Sequence, residues 1–503
     1  MIVFRMIWRV LGALMVMMGL AMILPWCISL YLEDGIHWCY LLPILACTLG
    51  GLGAFWGFRS VEGREISTRE AFLIVTLGWV LAAFAASLPY WLYSLFYPGG
   101  ARFFPNLTAA YFEAMSGLTT TGSTILPSIE DLPKSFLFWR CLTHWLGGMG
   151  IILLGIAILP LLGIGGMQLF RAEVPGPTTD KLRPRIKETA KSLWIVYILL
   201  TFFETIFLYF GGLSFFDSVC HSFSTIATGG FSTLNKSVEG FQSVYVEMVI
   251  TVFMIFAGMN FALHYFSLRG DLKKIWKNAE FRFYSGVIVF WTFGIALVLY
   301  TSGYYSGIFT SLRYSVFQVV SIVTSTGFSS WNFDDWWIDA AHKGLHASLF
   351  SVSWLVLLMF IGGCAGSTGG GVKCLRIMLL IKMAYREMMR LLHPRMVNPI
   401  KVDNQGVADS VLFAISGFFI LYLTLTGICT LLLTTYNIDF VSAFTAVAAS
   451  IGNIGPGLAK VGPYQNYAFI PIPGQWLLIF CMLLGRLEIY TVLIILMPHF
   501  WKR

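Results

Sequence analysis

Along this chain, long apolar stretches almost free of charge alternate with short polar segments. A run of about 20 such residues suffices to cross a bilayer as a helix. Ten runs qualify: 11–32, 37–58, 71–97, 141–170, 192–216, 248–268, 283–304, 345–372, 410–438 and 467–484. The pattern predicts an all-α polytopic membrane protein. The opening MIVFRMIWRVLG has the basic start of a signal peptide, but its apolar run continues to Leu32 without a small-residue cleavage site, so it reads as a retained first span. An even number of spans puts both termini on one side.

Composition agrees with this reading. The 503 residues are 57% hydrophobic and 12% charged, with a mean hydropathy of +0.76, whereas a soluble domain carries about 25% charge. The net charge of +8 is placed to orient the chain rather than to bind nucleic acid. With both termini cytoplasmic, the inner segments collect Arg5 and Arg9; Arg59, Arg64 and Arg69; Arg171, Lys181, Arg183, Arg185, Lys187 and Lys191; Arg269, Lys273, Lys274, Lys277 and Arg282; Lys373, Arg376, Lys382, Arg386, Arg390, Arg395 and Lys401; and Lys502 and Arg503. This asymmetry is the positive-inside rule, and such segments meet anionic lipid or a cytosolic partner. The nine cysteines are scattered without a CxxC pair and predict neither a zinc site nor a disulfide frame.

Between odd and even spans lie four segments too apolar for solvated loops and too short to cross: LTAAYFEAMSGLTTTGSTIL, FFDSVCHSFSTIATGGFST, YSVFQVVSIVTSTGFSS and FVSAFTAVAASIGNIGPGL. Each reads as a short helix running into a small-residue turn. With Gly122, Gly229, Gly327 and Gly455 in register, they recur about every 100 residues. This divides the chain into a two-helix extension (1–68) and four units of span, pore helix and span (69–183, 184–278, 279–402 and 403–503) around one pseudo-fourfold pore. At the glycine and the two positions before it stand Thr120-Thr121-Gly122, Ala227-Thr228-Gly229, Ser325-Thr326-Gly327 and Asn453-Ile454-Gly455. Irregular backbone at membrane depth is tolerated where it lines a watery cavity or is buried in protein. Four loops around an axis can replace a cation's lost water with carbonyl oxygens, and helices ending there direct their negative dipole ends toward it.

These loops, with HWLGGMGIILLGIAILPLLGIGGMQLFRAEVPGP in the first unit, GGCAGSTGGGVKCLRI in the third and LLGRLEIYTVLI in the fourth, resemble the TrkH-type subunits of the Trk/Ktr/HKT superfamily of potassium transporters. The two extra N-terminal spans favour that branch over the shorter KtrB branch. The resemblance implies potassium as the transported ion, bound at the twelve loop positions just named, with no further cofactor. It also implies a homodimer in the bacterial inner membrane and a cytosolic, nucleotide-binding TrkA-like ring that regulates it. Sodium-preferring relatives often carry serine at the first filter glycine, where this chain keeps Gly122. Asn453-Ile454 departs from the threonine pattern, as is usual for the fourth loop of TrkH-type proteins.

The stretch IGGCAGSTGGGVK, residues 361–373, holds six glycines at the end of an apolar run. Glycine at that density breaks a helix. The loop formed by Gly362, Gly363, Gly366, Ser367, Thr368, Gly369, Gly370 and Gly371 is expected to cross beneath the filter, and in the family resembled it is an intramembrane gate. Close helix packing is the plainer use of such glycines. A phosphate loop is excluded because the G-K-[ST] ending is absent. Arg486, inside the last span, is expected at the gate; a charge there costs roughly 2.5–3.5 kcal/mol on insertion scales and marks function by default. A structural ion pair with Glu488, Glu204 or Glu113 is its alternative.

Glu113 and Asp217 lie within the pore helices and read as structurally satisfied, and His144, His221 and His264 lack metal-ligand spacing. Asn106-Leu107-Thr108 fits a glycosylation sequon, set aside as chance. No HExxH, GxSxG or facing carboxylate pair supports an enzyme. A proton- or sodium-coupled symporter is the alternative to a channel-like path, but the four units share one direction rather than inverting.

Overall fold

The computed structural model describes residues 4–58, 66–150, 186–336, 346–396 and 398–502. Among them, six helices are long and apolar enough to cross a membrane: Phe4–Tyr31, His37–Gly57, Thr68–Phe96, Lys191–Phe210, Ala279–Thr301 and Asp409–Thr434. The first two pack along one another with backbones nearly touching. A methyl on Gly12 would come within 2.7 Å of the Gly51 carbonyl oxygen, and one on Gly51 within 2.6 Å of that of Gly12. Small residues permit such close approach, and with it dispersion contact, in a solvent as apolar as the helices. The other four are the leading helices of four successive helical groups. Large apolar side chains such as Phe290, Phe293, Phe413 and Leu431 stay exposed on these helices, as suits a surface bathed in hydrocarbon.

Each leading helix is followed by a short one: Leu107–Leu118, Phe215–Ile226, Ile308–Val323 and Phe440–Gly452. Their starts are encoded locally. Asn106 accepts from the Ala109 amide at 2.9 Å, Ser214 from Asp217 at 3.0 Å and Asp439 from Ser442 at 3.0 Å, which satisfies amides a helix start leaves unpaired. The sequon asparagine is thus a helix cap.

The trailing helices are Lys134–Gly148, Val244–Gly258, His346–Leu358 and Ile472–Arg486, and here the structure corrects the sequence reading. Whereas 345–372 was expected to break at its glycines, the run 248–268 and the last span, with Arg486 inside it, were expected to be continuous. Instead, Val244–Gly258 turns through 101° into Phe261–Leu268, and Ile472–Arg486 turns through 118° into Tyr490–Leu496. His346–Leu358 gives way to the Gly-rich loop, and Lys134–Gly148 also ends early, at the left-handed Gly150 (φ 70°). All four break against the C-terminal end of a short helix. Methyls on Gly147, Gly258 and Gly485 would meet Leu118, Thr324 and Ile451 respectively, and one on Gly452 would meet the carbonyl oxygen of Met359. Hydropathy registers apolarity and is blind to such breaks, because the freed backbone groups are satisfied by distant chain. Residues 151–170 of the fourth expected span, with Arg59, Arg64, Arg171, Lys181, Arg183, Arg185 and Arg503, lie outside the described residues.

Candidate ion-conduction site

The four short helices end alike. The residue after next to each helix's last, namely Thr120, Thr228, Ser325 and Asn453, is left-handed, with φ of 52°, 53°, 57° and 51°; in the fourth this is the residue directly after Gly452. The following amide bonds back to the helix: Thr121 to the Ser116 carbonyl (2.9 Å), Gly229 to Ser224 (2.8 Å), Thr326 to Ser321 (2.8 Å) and Ile454 to Ala449 (2.9 Å). A left-handed glycine comes next, at Gly122, Gly230, Gly327 and Gly455. The equivalent triplets are therefore Thr120-Thr121-Gly122, Thr228-Gly229-Gly230, Ser325-Thr326-Gly327 and Asn453-Ile454-Gly455. The second differs by one residue from the register read in the sequence. Ala227 belongs to the end of its helix, and Gly230 is the ring glycine.

The reason is a buried histidine. Gly229 occupies a threonine's place, but a Cβ there would strike the imidazole of His144. That ring stacks on Phe231 with centroids 4.1 Å apart and meets Ser224 Oγ at 3.2 Å. Two adjacent glycines made the sequence register ambiguous; the left-handed Thr228 and Gly230 resolve it, and His144 accounts for the glycine between them.

The left-handed glycines close a ring. A side chain at Gly122 would collide with the carbonyl oxygen of Gly229, at Gly230 with that of Thr326, at Gly327 with that of Ile454, and at Gly455 with that of Thr121. First loop meets second, second third, third fourth, and fourth first. Asn453 ties this last joint, donating its side-chain amide to Thr121 Oγ1 (2.9 Å) and to the Met482 carbonyl (3.0 Å). Asparagine also tolerates the left-handed backbone, so the break in the threonine pattern serves both needs.

A pocket opens over the ring, lined by all four left-handed glycines and by Phe231, Tyr464 and Tyr467 among others. Arg140 also lines it, but its charge is matched: Nε lies 2.8 Å from Glu113 Oε1, both side chains being buried. Glu113 further accepts from Thr124 Oγ1 (3.0 Å) and the Ile125 amide (3.1 Å). The sequence reading did not single out Arg140, although a cation inside FLFWRCLTHW was the available signal.

On the other side of the ring, residues 359–373 leave helical geometry and run under the short-helix ends. Thr368 Oγ1 donates to the Ile226 carbonyl (3.0 Å) and the Ala257 carbonyl (3.2 Å), and the Gly370 amide donates to Ser325 Oγ (2.5 Å). Any Cβ on Gly370 would strike the Gly452 carbonyl. Glycine is required there because loop and short helix meet backbone to backbone. The loop also fills the break in the second trailing helix. The Cys364 amide donates to the Gly258 carbonyl (2.9 Å) and the Phe261 amide to the Gly366 carbonyl (3.0 Å). Lys373 Nζ folds back onto the Gly369 carbonyl.

Arg486 lies at the same level, at the end of its helix. Nη1 reaches Thr120 Oγ1 at 3.2 Å and the Thr368 carbonyl at 2.9 Å, while Nη2 bonds the carbonyls of Gly147 and of Gly148, the latter at 3.0 Å. One guanidinium joins the first loop, the Gly-rich loop and the end of the first trailing helix. Glu488 pairs with Arg376, which also covers the Phe418 ring at 4.3 Å.

The remaining polar singletons are structural. Asp217, in the first turn of its helix, accepts from Ser214 Oγ at 2.6 Å and from Thr233 Oγ1 at 2.7 Å. His221 meets Ser232 Oγ at 3.0 Å, and His264 the Phe256 carbonyl at 2.9 Å. Among the described residues no three His, Cys, Asp or Glu side chains group to hold a metal. The nine cysteines are unbridged.

Comparison with known proteins places this geometry. The family model for TrkH, a cation transport protein, matches residues 47–502. The chain is 42% identical to the Trk system potassium uptake protein TrkH of Salmonella typhimurium, across 99% of each chain. It is 41% identical to TrkH of Escherichia coli K12, again across 99% of each. The crystal structure of the potassium transporter TrkH from Vibrio parahaemolyticus superposes with a TM-score of 0.86 at 37% identity, covering all of both chains. The family transports ions and is not a family of enzymes. This chain belongs to the TrkH family of cation transport proteins.

Proposed function

We propose that this protein takes up potassium, and rubidium with it, across the bacterial inner membrane with both termini in the cytoplasm. The carrying observation is the closed ring of four left-handed glycines beneath an open pocket and above the Gly-rich loop. Carbonyls of the ring triplets replace the ion's water, and the C-terminal ends of four short helices add negative potential. The filter residues are Thr120, Thr121, Gly122, Thr228, Gly229, Gly230, Ser325, Thr326, Gly327, Asn453, Ile454 and Gly455. The membrane potential drives the ion inward, at about 2.3 kcal/mol per charge per 100 mV.

The loop from Gly362 to Gly371 closes this route at rest, with Arg486 adding a fixed positive charge that repels a cation and holds the loop by its Thr368 carbonyl. A cytosolic nucleotide-binding ring, TrkA-like, docks on the basic loops 269–282 and 373–401 of a homodimer and releases the loop.

The test is cation flux into proteoliposomes, comparing potassium, rubidium and sodium for the unaltered protein and for Gly122→Ser. Serine at 122 must displace the Gly229 carbonyl, so potassium and rubidium should lead sodium, and the substitution should narrow the gap. Deleting residues 366–371 raises flux if the protein alone is silent. Sodium passing as fast as potassium through the unaltered protein overturns the selectivity claim.

A further inference from the structure

The Gly-rich loop is pinned by a carboxylate that belongs to no ring triplet. Glu280, in the first turn of Ala279–Thr301, is 6% exposed. Its Oε1 accepts the Ala365 amide at 2.6 Å and the Leu375 amide at 3.2 Å. These two amides flank the segment that passes under the ring. A single acceptor therefore cinches the loop at its base.

Glu280 is itself held from the side where the basic loops lie. A two-residue ladder pairs Lys401 with Gly406 and Val402 with Gln405, around a turn at Asp403 and Asn404 whose φ values are 47° and 63°. Asp403 Oδ1 accepts the Ala279 amide, one residue before Glu280, at 2.7 Å, and Oδ2 accepts Asn278 Nδ2 at 3.3 Å. The base of the same hairpin is packed into the protein. Ile400 shares a small apolar cluster with Leu375, Met378, Leu379, Leu412 and Ile415, against which Ala279, Ala365 and Val402 also lie. Hairpin, helix start and loop base are thus joined by hydrogen bonds and by the apolar cluster.

We propose that Glu280 is the latch of the Gly-rich loop and that the hairpin carrying Asp403 is the lever that sets it. A partner pulling on the hairpin shifts the start of Ala279–Thr301, withdraws Glu280 from Ala365 and Leu375, and frees the loop. Glu280 acts through the loop and touches no ion, so it is a positioning residue. The inference rests on the proposal that this loop closes the route.

The experiment reads rubidium flux into proteoliposomes without any cytosolic partner, alongside the rate at which a small thiol reagent labels Cys364 and Cys374, both buried at the loop's ends, with the other cysteines replaced. Glu280→Ala should raise both by roughly tenfold or more through loss of the two hydrogen bonds. Glu280→Gln keeps an oxygen acceptor and should raise them less. Asp403→Ala should shift both in the same direction, and potassium-over-sodium selectivity should be retained throughout. Should Glu280→Ala not assemble, Glu280→Asp, one methylene too short to span both amides, is read in the same two ways. Deletion of residues 366–371 separates the failures. If the deletion leaves flux unchanged, the closing role of the loop falls. If the deletion raises flux while the Glu280 variants leave flux and labelling at the unaltered level, the latch is overturned. Labelling that responds to Glu280 variants but not to Asp403→Ala overturns the lever.

Discussion

At the scale of single residues, the ring depends on where a Cβ is tolerated. Gly229 and Gly230 are neighbours with different obstacles: the His144 ring for one and the backbone carbonyl of Thr326 for the other. A side chain can retreat, whereas a backbone in a closed ring cannot without deforming its neighbours. Gly230→Ala is therefore expected to abolish selective flux, and no change at residue 144 should restore it. Gly229→Ala should also be damaging alone, yet recover much of its flux when combined with His144→Ser, which vacates the space. Rubidium flux for the two single and two double variants checks this. Equal rescue of both glycines would mean that the second triplet begins at Ala227 after all. The buried Glu113–Arg140 pair illustrates another residue-scale rule: breaking such a pair from one side leaves a charge uncompensated, at about 3–5 kcal/mol.

Among elements, the turn at Ala459–Val461 is fastened by a carboxyl whose protonation matters. Asp334 is buried and accepts from the Ala459 amide at 3.2 Å. Burial raises its pKa from the ordinary 3.8 to about 7, with Asp335 beside it adding to the rise. Between those values the folded protein holds a proton that the unfolded chain has released, so acid favours the fastened state, and its stability falls as pH rises through the window. Backbone amide exchange in residues 459–461, corrected for its intrinsic pH dependence, should accelerate as pH rises from about 5 to 8. Asp334→Asn, which cannot ionise, should flatten that dependence. A flat profile in the unaltered protein would contradict the assignment. Gly462 packs directly on this carboxyl and lines the pocket over the ring, so the turn bears on access to the ring.

For the whole molecule, the basic loops 269–282 and 373–401 offer charge on the side of the membrane where the Gly-rich loop ends. Lys273, Lys277 and Arg395 can be reversed without touching the Arg386–Asp409 pair (2.8 Å) or the Lys274–Asp271 pair (2.9 Å). Changing all three to glutamate should abolish the response to a nucleotide-binding partner and leave the potassium-to-sodium ratio of any remaining flux as it was. An unchanged nucleotide response in reconstituted complexes would place the docking surface elsewhere. The same scale explains the distribution of helix types. The four leading helices run unbroken, three of them with most of their surface exposed, as lipid requires every backbone group to be satisfied within its own helix. The four trailing helices break beside the ring, where neighbouring chain supplies the missing partners.

Read without the structure, the chain reveals its solvent and predicts an orientation and a repeat, because these readings follow from composition and from order along one dimension. Apolar runs of bilayer length, basic residues gathered on alternate segments and four recurring helix-to-glycine turns need no knowledge of contacts. The dense glycines at 362–371 likewise announce a break, since no helix of that composition holds. What only the tertiary structure decided are the facts that need two distant residues at once. His144 occupies the space beside Gly229, some 85 positions away in the chain, and so dictates glycine there. The carbonyl freed at Gly258 finds its donor on Cys364, which is why a run that hydropathy reads as one span is two helices. Arg486, Arg140 and Glu280 were each visible as charges in or beside apolar surroundings. Which carbonyl, carboxylate or amide each would meet was settled only when the four groups closed around the ring, because a polar group's partner is chosen by proximity in space and leaves no periodic trace in the sequence.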